Sequence, residues 1–193
     1  MSTPSRVRVY MGCSLDGFIA GPDHDLAWLH DDYSRPDDLK LDPAALQYEA
    51  FMEQIGAMLM GRATYDAVAQ MGPWKDNGKP VLVATHRPFT PPSDLVRSVS
   101  GTIETLIHEA KEAAGEEDVY IDGGDLVCQA LNAGLVDEIT LTYLPILLSE
   151  GTRLFDGLTS RSRLQFVAHH PFGGGLLQVT ARVHNDPPST PSN

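Results

Sequence analysis

Val119-Tyr120-Ile121-Asp122-Gly123-Gly124-Asp125-Leu126 is the stretch on which the fold turns. An apolar run over residues 119–121 stops at Asp122, two glycines follow, and a helix-like segment continues to about Asn132, ahead of Gly134. The order is strand, tight turn, helix. Paired glycines let another backbone, or a phosphate, come close because no Cβ stands in the way. The free N–H groups and positive end of the following helix favour an anion. Gly-Gly after a strand also serves as a plain turn, so the motif gains meaning only from its partners.

Two partners exist. Gly61-Arg62-Ala63-Thr64 opens a helix directly after the apolar run 57–60, and Thr85-His86-Arg87 closes the apolar run 80–85. In an open α/β sheet, ligands bind at the carboxyl ends of the strands, and all three clusters fall at such ends. Two of them open helices. The third offers Thr, His and Arg as a seat for a ribose 2′-phosphate, which a planar guanidinium grips bidentately.

The remaining chain supports an α/β sheet. Val7, Val9 and Met11 alternate with Arg6, Arg8 and Tyr10 as a strand with one face inward. Residues 14–23 contain Gly17, Gly21 and Pro22 and read as a loop over that strand's end. Asp42-Pro43 reads as a helix start, with Ala44, Tyr48, Phe51, Met52 and Ile55 on one face. Residues 95–99 form a short edge strand, and Thr102 caps a helix that stops at Gly115. Residues 136–144 and 152–155 are further strands. Residues 164–170 and 176–184 make an antiparallel hairpin around Gly173-Gly174-Gly175. Strands alternating with helices, then a run of strands, imply a mostly parallel sheet with an antiparallel end. Residues 1–185 form one domain; the polar, proline-rich residues 186–193 are expected to be disordered.

With 193 residues the chain can bury a substantial core, and a net charge of −12 repels nucleic acid and anionic membranes. Two distant cysteines, Cys13 and Cys128, without metal-ligand spacing, suit a reduced, cytoplasmic protein. No apolar run suggests a signal peptide or a membrane span. Neighbouring His169 and His170 point to opposite faces of a strand and cannot chelate one metal together. GxGxxG, GxxxxGK[ST], GxSxG and HExxH are all absent.

The residues 58–65, Met-Leu-Met-Gly-Arg-Ala-Thr-Tyr, resemble the Met-Gly-Arg-x-Thr segment of dihydrofolate reductases, and Tyr120-Ile-Asp-Gly-Gly124 resembles their apolar-Gly-Gly segment. Residues 11–20, Met-Gly-Cys-Ser-Leu-Asp-Gly-Phe-Ile-Ala, resemble the opening of stand-alone proteins similar to the C-terminal reductase domain of the bacterial bifunctional riboflavin-biosynthesis deaminase-reductase. The resemblance spans about residues 6–184. It implies a dihydrofolate-reductase-like three-layer fold, with helices on both faces of the sheet, NADPH in the crevice, and a homodimer. Gly61, Arg62 and Thr64 would hold phosphate; Thr85, His86 and Arg87 would meet the ribose phosphate; Gly123, Gly124, Asp125 and Leu126 would line the pyrophosphate. Ser14, Asp16, Gly17 and Ile19 would lie nearest the nicotinamide.

For the substrate side, Asp16 and Glu49 are the candidate proton donors. Asp16 also fits a plain Asp-Gly turn, and Glu49 a solvated helix position. Trp28 and Trp74 suit either pocket walls for a flat heterocycle or ordinary packing. Phe18 stands where the riboflavin-type reductases typically carry Lys. The expected function is an NADPH-dependent reductase of a small flat C=N or C=O substrate, folate- or pteridine-like. A 5-amino-6-(5-phosphoribosylamino)uracil-type reductase and a non-catalytic nucleotide-binding protein are the alternatives.

Overall fold

Parallel strands buried on both faces read as near-continuous apolar runs, and three such strands form the centre of this molecule. The computed structural model describes residues 4–71 and 77–184. The predicted tail, 186–193, lies outside them. β1 (Val7–Ser14), β3 (Ile55–Gly61) and β6 (Asp118–Asp122) lie side by side and parallel, with β6 in the middle. β4 (Val81–Ala84) and β5 (Val96–Val99) extend the sheet on one side. β7 (Glu138–Leu144), β10 (Leu176–His184) and β9 (Arg163–Gly173) extend it on the other, the last two antiparallel. The eight-stranded order is β5-β4-β3-β6-β1-β7-β10-β9.

Helices cover both faces. α3 (Ile103–Ala114) and α4 (Gly124–Asn132) pack Leu106, Ile107, Val127 and Leu131 against Val7, Val9, Leu59 and Ile121. α1 (Tyr48–Met52) and α2 (Arg62–Gln70) cover the other face, where Phe51, Met52 and Tyr65 meet Tyr10, Met58, Met60 and Tyr120. The expected mostly parallel sheet, closing hairpin and two helical layers are all present.

Three local expectations are corrected. β1 has no wet face: Arg8 and Tyr10 are buried along with Val7 and Val9, because α1 roofs their side. Arg8 survives there by pairing with Glu138 at 2.7 Å and Asp118 at 3.3 Å, and by donating to Gln54 Oε1 at 2.9 Å. The loop predicted over residues 14–23 contains a strand. After a turn at Asp16-Gly17, β2 (Phe18–Ala20) pairs antiparallel with β8 (Thr152–Arg153). Finally, no helix starts at Asp42. Its carboxylate caps a single turn by accepting from Ala44 N at 2.9 Å. The chain is then drawn straight at Leu46, whose N–H donates to Gln178 Oε1 and whose carbonyl accepts from the Tyr10 hydroxyl, both at 2.8 Å. The helix therefore begins only at Tyr48, and Ile55 already belongs to β3.

Candidate active site

The carboxyl ends of β3, β4, β5 and β6 open into one cleft of about 960 Å³, at the upper end of the range for small-molecule and cofactor sites, roughly 300–1,000 Å³. Gly61, Arg62, Thr64, Thr85, His86, Gly123, Gly124, Asp125 and Leu126 all line it. The three sequence clusters thus meet as the sheet order requires.

The two helix N-termini that face the cleft share a feature. Neither α2 nor α4 has a side-chain cap, whereas Thr102 at the start of α3 accepts a hydrogen bond from Thr105 N. Helices leave their first N–H groups without intrahelical partners, so α2 and α4 present theirs to whatever enters. The termini are also locked together. Gly123 has φ +101°, and a Cβ on it would collide with Thr64 Oγ1. A Cβ on Gly124 would come within 3.1 Å of Ile19 Cδ1 and 3.3 Å of the Arg153 carbonyl oxygen. The paired glycines therefore serve close packing between β6, α2 and the β2–β8 ribbon. Gly61 differs: a Cβ there would meet only Leu126 Cγ, at 4.0 Å, and would project into the cleft.

The arginines are less free than their positions suggest. Arg62 Nε donates to Asp66 at 2.7 Å and Nη1 to the Pro88 carbonyl at 3.0 Å, with the guanidinium over the Phe89 ring. Arg87 does not line the cleft; it stands exposed at its margin, 3.6 Å from Asp66.

The proton-donor candidates change. Asp16 stays outside the cleft lining. Its carboxylate accepts from the Ser14 hydroxyl at 2.7 Å, Ser149 N at 2.9 Å and Leu148 N at 3.1 Å. The Ser14 hydrogen bond is the main reason its pKa falls to about 2. An acceptor so well satisfied stays ionised and ties the turn to the loop before β8. Ser14 is fully buried and also receives Phe18 N. Neither Ser14 nor Gly17 reaches the cleft, while Ile19 does. Glu49 is exposed on α1 and does not line the cleft; its neighbour Tyr48 does. Trp28 is buried beneath the cover segment, its indole donating to the Asp25 carbonyl at 3.2 Å, and packs without lining the cleft. Trp74 lies outside the described residues.

Besides Asp125 at the start of α4, a second carboxylate lines the cleft, Asp122, which sequence reasoning passed over. It ends β6, paired in register with Met60, on the same face as Tyr120. Desolvation raises its pKa to about 6, against a smaller opposing effect from the Tyr120 hydroxyl. The Tyr120 hydroxyl, which donates to the Tyr10 carbonyl at 2.9 Å, and the Gly123 backbone N–H both favour the ionised form of Asp122, and burial outweighs them. The abrupt end of an apolar strand at a carboxylate, just before Gly-Gly, was the available signal. Among the described residues, no group of three His, Cys, Asp or Glu side chains is placed to hold a metal ion, and no helix is long and apolar enough to cross a membrane.

Known proteins resemble this chain along most of its length. The family model described as RibD C-terminal domain matches residues 5–178. The crystal structure of a putative riboflavin biosynthesis protein from Shewanella sp. PV-4 superposes with a TM-score of 0.77 at 31% identity, covering 93% of this chain and 99% of that one. YyaP of Bacillus subtilis strain 168, an uncharacterized protein, is 26% identical over 185 residues, 90% of this chain and 93% of its own. Dihydrofolate reductase from Enterococcus faecalis, complexed with NADP(H), shares the fold with a TM-score of 0.55 at 15% identity, covering 93% of this chain and 96% of that one.

Proposed function

The chain belongs to the RibD C-terminal domain family, and from that premise we propose that it is an NADPH-dependent reductase acting on a small flat C=N or C=O acceptor. Family membership supports the reductase class. The observation that carries the finer reading is the pair of uncapped helix N-termini, α2 and α4, held side by side on one cleft. Such termini favour phosphate, and the open space at Gly61 admits a close approach. The dihydrofolate reductase neighbour was captured with NADP(H), which agrees with this choice of dinucleotide.

When bound, the nicotinamide supplies the hydride. The chain's residues do the rest. Backbone N–H groups at Gly61–Thr64 and Gly124–Leu126 hold the phosphates. Thr85 and His86, with Arg87 at the margin, receive the ribose 2′-phosphate. Asp122, neutral below pH about 6, gives its proton to the acceptor nitrogen or oxygen and recovers one from solvent through the open cleft. Hydride and proton together complete addition of two hydrogens across the double bond.

The test is a titration of NADPH and NADH followed by nicotinamide fluorescence, then oxidation of bound NADPH by dihydrofolate, pteridines and riboflavin precursors. Absence of binding by either dinucleotide refutes the reading. Tight binding with no turnover by any acceptor would make the chain a nucleotide-binding scaffold. We further propose a homodimer joined at the free edge of β9, where Leu164, Phe166 and Val167 are exposed. Sedimentation that returns a monomer at micromolar concentration refutes it.

A further inference from the structure

The substrate half of the cleft is built differently from the cofactor half. Tyr10, Tyr48 and Tyr120 wall it, Leu26 and Leu29 cover it, and Asp122 is its carboxylate. Leu29 reaches down because Gly12 has no side chain: a Cβ on Gly12 would come within 2.9 Å of Leu29 Cδ2. All three tyrosine hydroxyls are engaged within the protein, Tyr10 on the Leu46 carbonyl at 2.8 Å, Tyr120 on the Tyr10 carbonyl at 2.9 Å, and Tyr48 with the Asn77 side chain. Tyr10 and Tyr120 are buried against Phe51, and Tyr48 is the exposed ring. Tyr48 stays protonated too, its pKa raised by burial and then by the Asp122 charge.

Charge is the deciding feature. Among the described residues lining the cleft, the one Lys or Arg is Arg62, which belongs to the cofactor half and is already paired with Asp66. The covering segment, residues 22–32, brings two histidines, His24 and His30, to the cleft lining, and its four aspartates, Asp23, Asp25, Asp31 and Asp32, stand outside that lining. The whole chain adds a net charge of −12. An anionic group on the substrate would lose hydration there without meeting a further Lys or Arg among the described residues, and the field over the mouth would slow its entry.

We infer that the substrate half takes an uncharged, unphosphorylated flat heterocycle and discriminates against phosphorylated or carboxylated ones. This rests on the reductase reading and narrows it: the phosphoribosylamino-pyrimidine alternative is disfavoured, and so is any folate bound through its glutamate. What the site recognises is a π-face against Tyr48 and an N–H edge toward Asp122.

The experiment uses matched probes on the full chain with the cofactor half saturated by NADP⁺. Pterin is compared with pterin-6-carboxylate, and guanosine with guanosine 5′-monophosphate, by calorimetry. The uncharged member of each pair should bind at least tenfold more tightly. Equal or tighter binding of the anionic members, or failure of both uncharged probes to bind below about 1 mM, overturns the inference. His30→Arg, at an exposed position on the lip, should narrow both ratios at least threefold; unchanged ratios would show that charge does not set the preference. If NADP⁺ itself fails to bind, the reductase reading falls separately. The pairs are then compared on the free protein, and their ratios decide the inference as before.

Discussion

Replacing Gly123 with alanine tests whether the Gly-Gly turn is there for a phosphate or for the protein itself. The backbone at Gly123 sits at φ 101°, ψ 129°, a region that residues with a Cβ avoid. Holding alanine there costs on the order of 1–3 kcal/mol. The new methyl would also land on Thr64 Oγ1, and forced overpacking of this kind typically costs about 1–3 kcal/mol. Gly123→Ala should therefore lower the unfolding free energy by roughly 3–4 kcal/mol, within the sum of those two effects.

Thr64→Ala separates the two terms. It removes Oγ1, and the nearest side-chain atom left at that position, Cβ, would stand 3.4 Å from the new methyl, an ordinary contact. Alone, this change at a half-buried position should cost no more than about 1 kcal/mol. In the Thr64→Ala background, Gly123→Ala should keep only its backbone cost. The cycle should thus show a favourable coupling of about 1–3 kcal/mol. Urea denaturation of the four proteins measures it. Additivity within about 0.5 kcal/mol would refute the packing account and return Gly123 to the role of leaving space for a ligand. The single variant should also weaken NADPH at least tenfold, because it pushes the two helix N-termini apart.

Other outcomes follow from the same geometry. Because its folded pKa is raised from 3.8 to about 6, Asp122 contributes stability that is fully present below pH about 4 and lost as pH rises through about 6. If it is the proton donor, log kcat/KM falls with unit slope above pH 6, and Asp122→Asn removes that limb; an unchanged profile in the variant refutes the role. Arg87→Ala should weaken NADPH about tenfold and NADH less than twofold, roughly the value of one exposed charge-assisted contact; equal losses, measured by fluorescence titration, remove the 2′-phosphate assignment. Arg8→Ala leaves Asp118 and Glu138 with Arg6 as their remaining cation and should cost about 1–3 kcal/mol in chemical denaturation. Glu49→Gln, at an exposed position outside the cleft, should leave kcat/KM within twofold; a hundredfold loss would restore Glu49 as the acid.

What was legible in the chain was local. A strand running straight into Gly61-Arg62 or Gly123-Gly124 declares both a turn and a helix N-terminus within a few residues, and β-strand order then places those turns together. Thr102 and Gly115 bounded α3 correctly for the same reason: caps are short-range chemistry. The errors came from long-range partners. Nothing near Leu46 in sequence announces that Gln178 and the Tyr10 hydroxyl will hold its backbone and delay the helix to Tyr48. Nothing near Gly17 announces that residues 152–153 will arrive to pair with β2.

The same distinction separates the two halves of the cleft. A phosphate site is made of backbone N–H groups at strand–helix junctions, so its sequence signature is the junction itself. A substrate site is made of side chains from distant elements, here β1, α1, β6 and a cover segment, and no spacing encodes their meeting. Asp16 and Glu49 drew attention as carboxylates near recognised motifs, yet a carboxylate's role depends on its solvation. Asp16 is surrounded by donors and held at a pKa of about 2. Asp122 is desolvated between Tyr120 and the cleft and pushed the other way. An acid that must release a proton near neutral pH has to be of the second kind. That criterion requires the three-dimensional neighbours, and it shifts the proposed acid from Asp16 and Glu49 to Asp122, the last residue of the strand that ends at Gly-Gly.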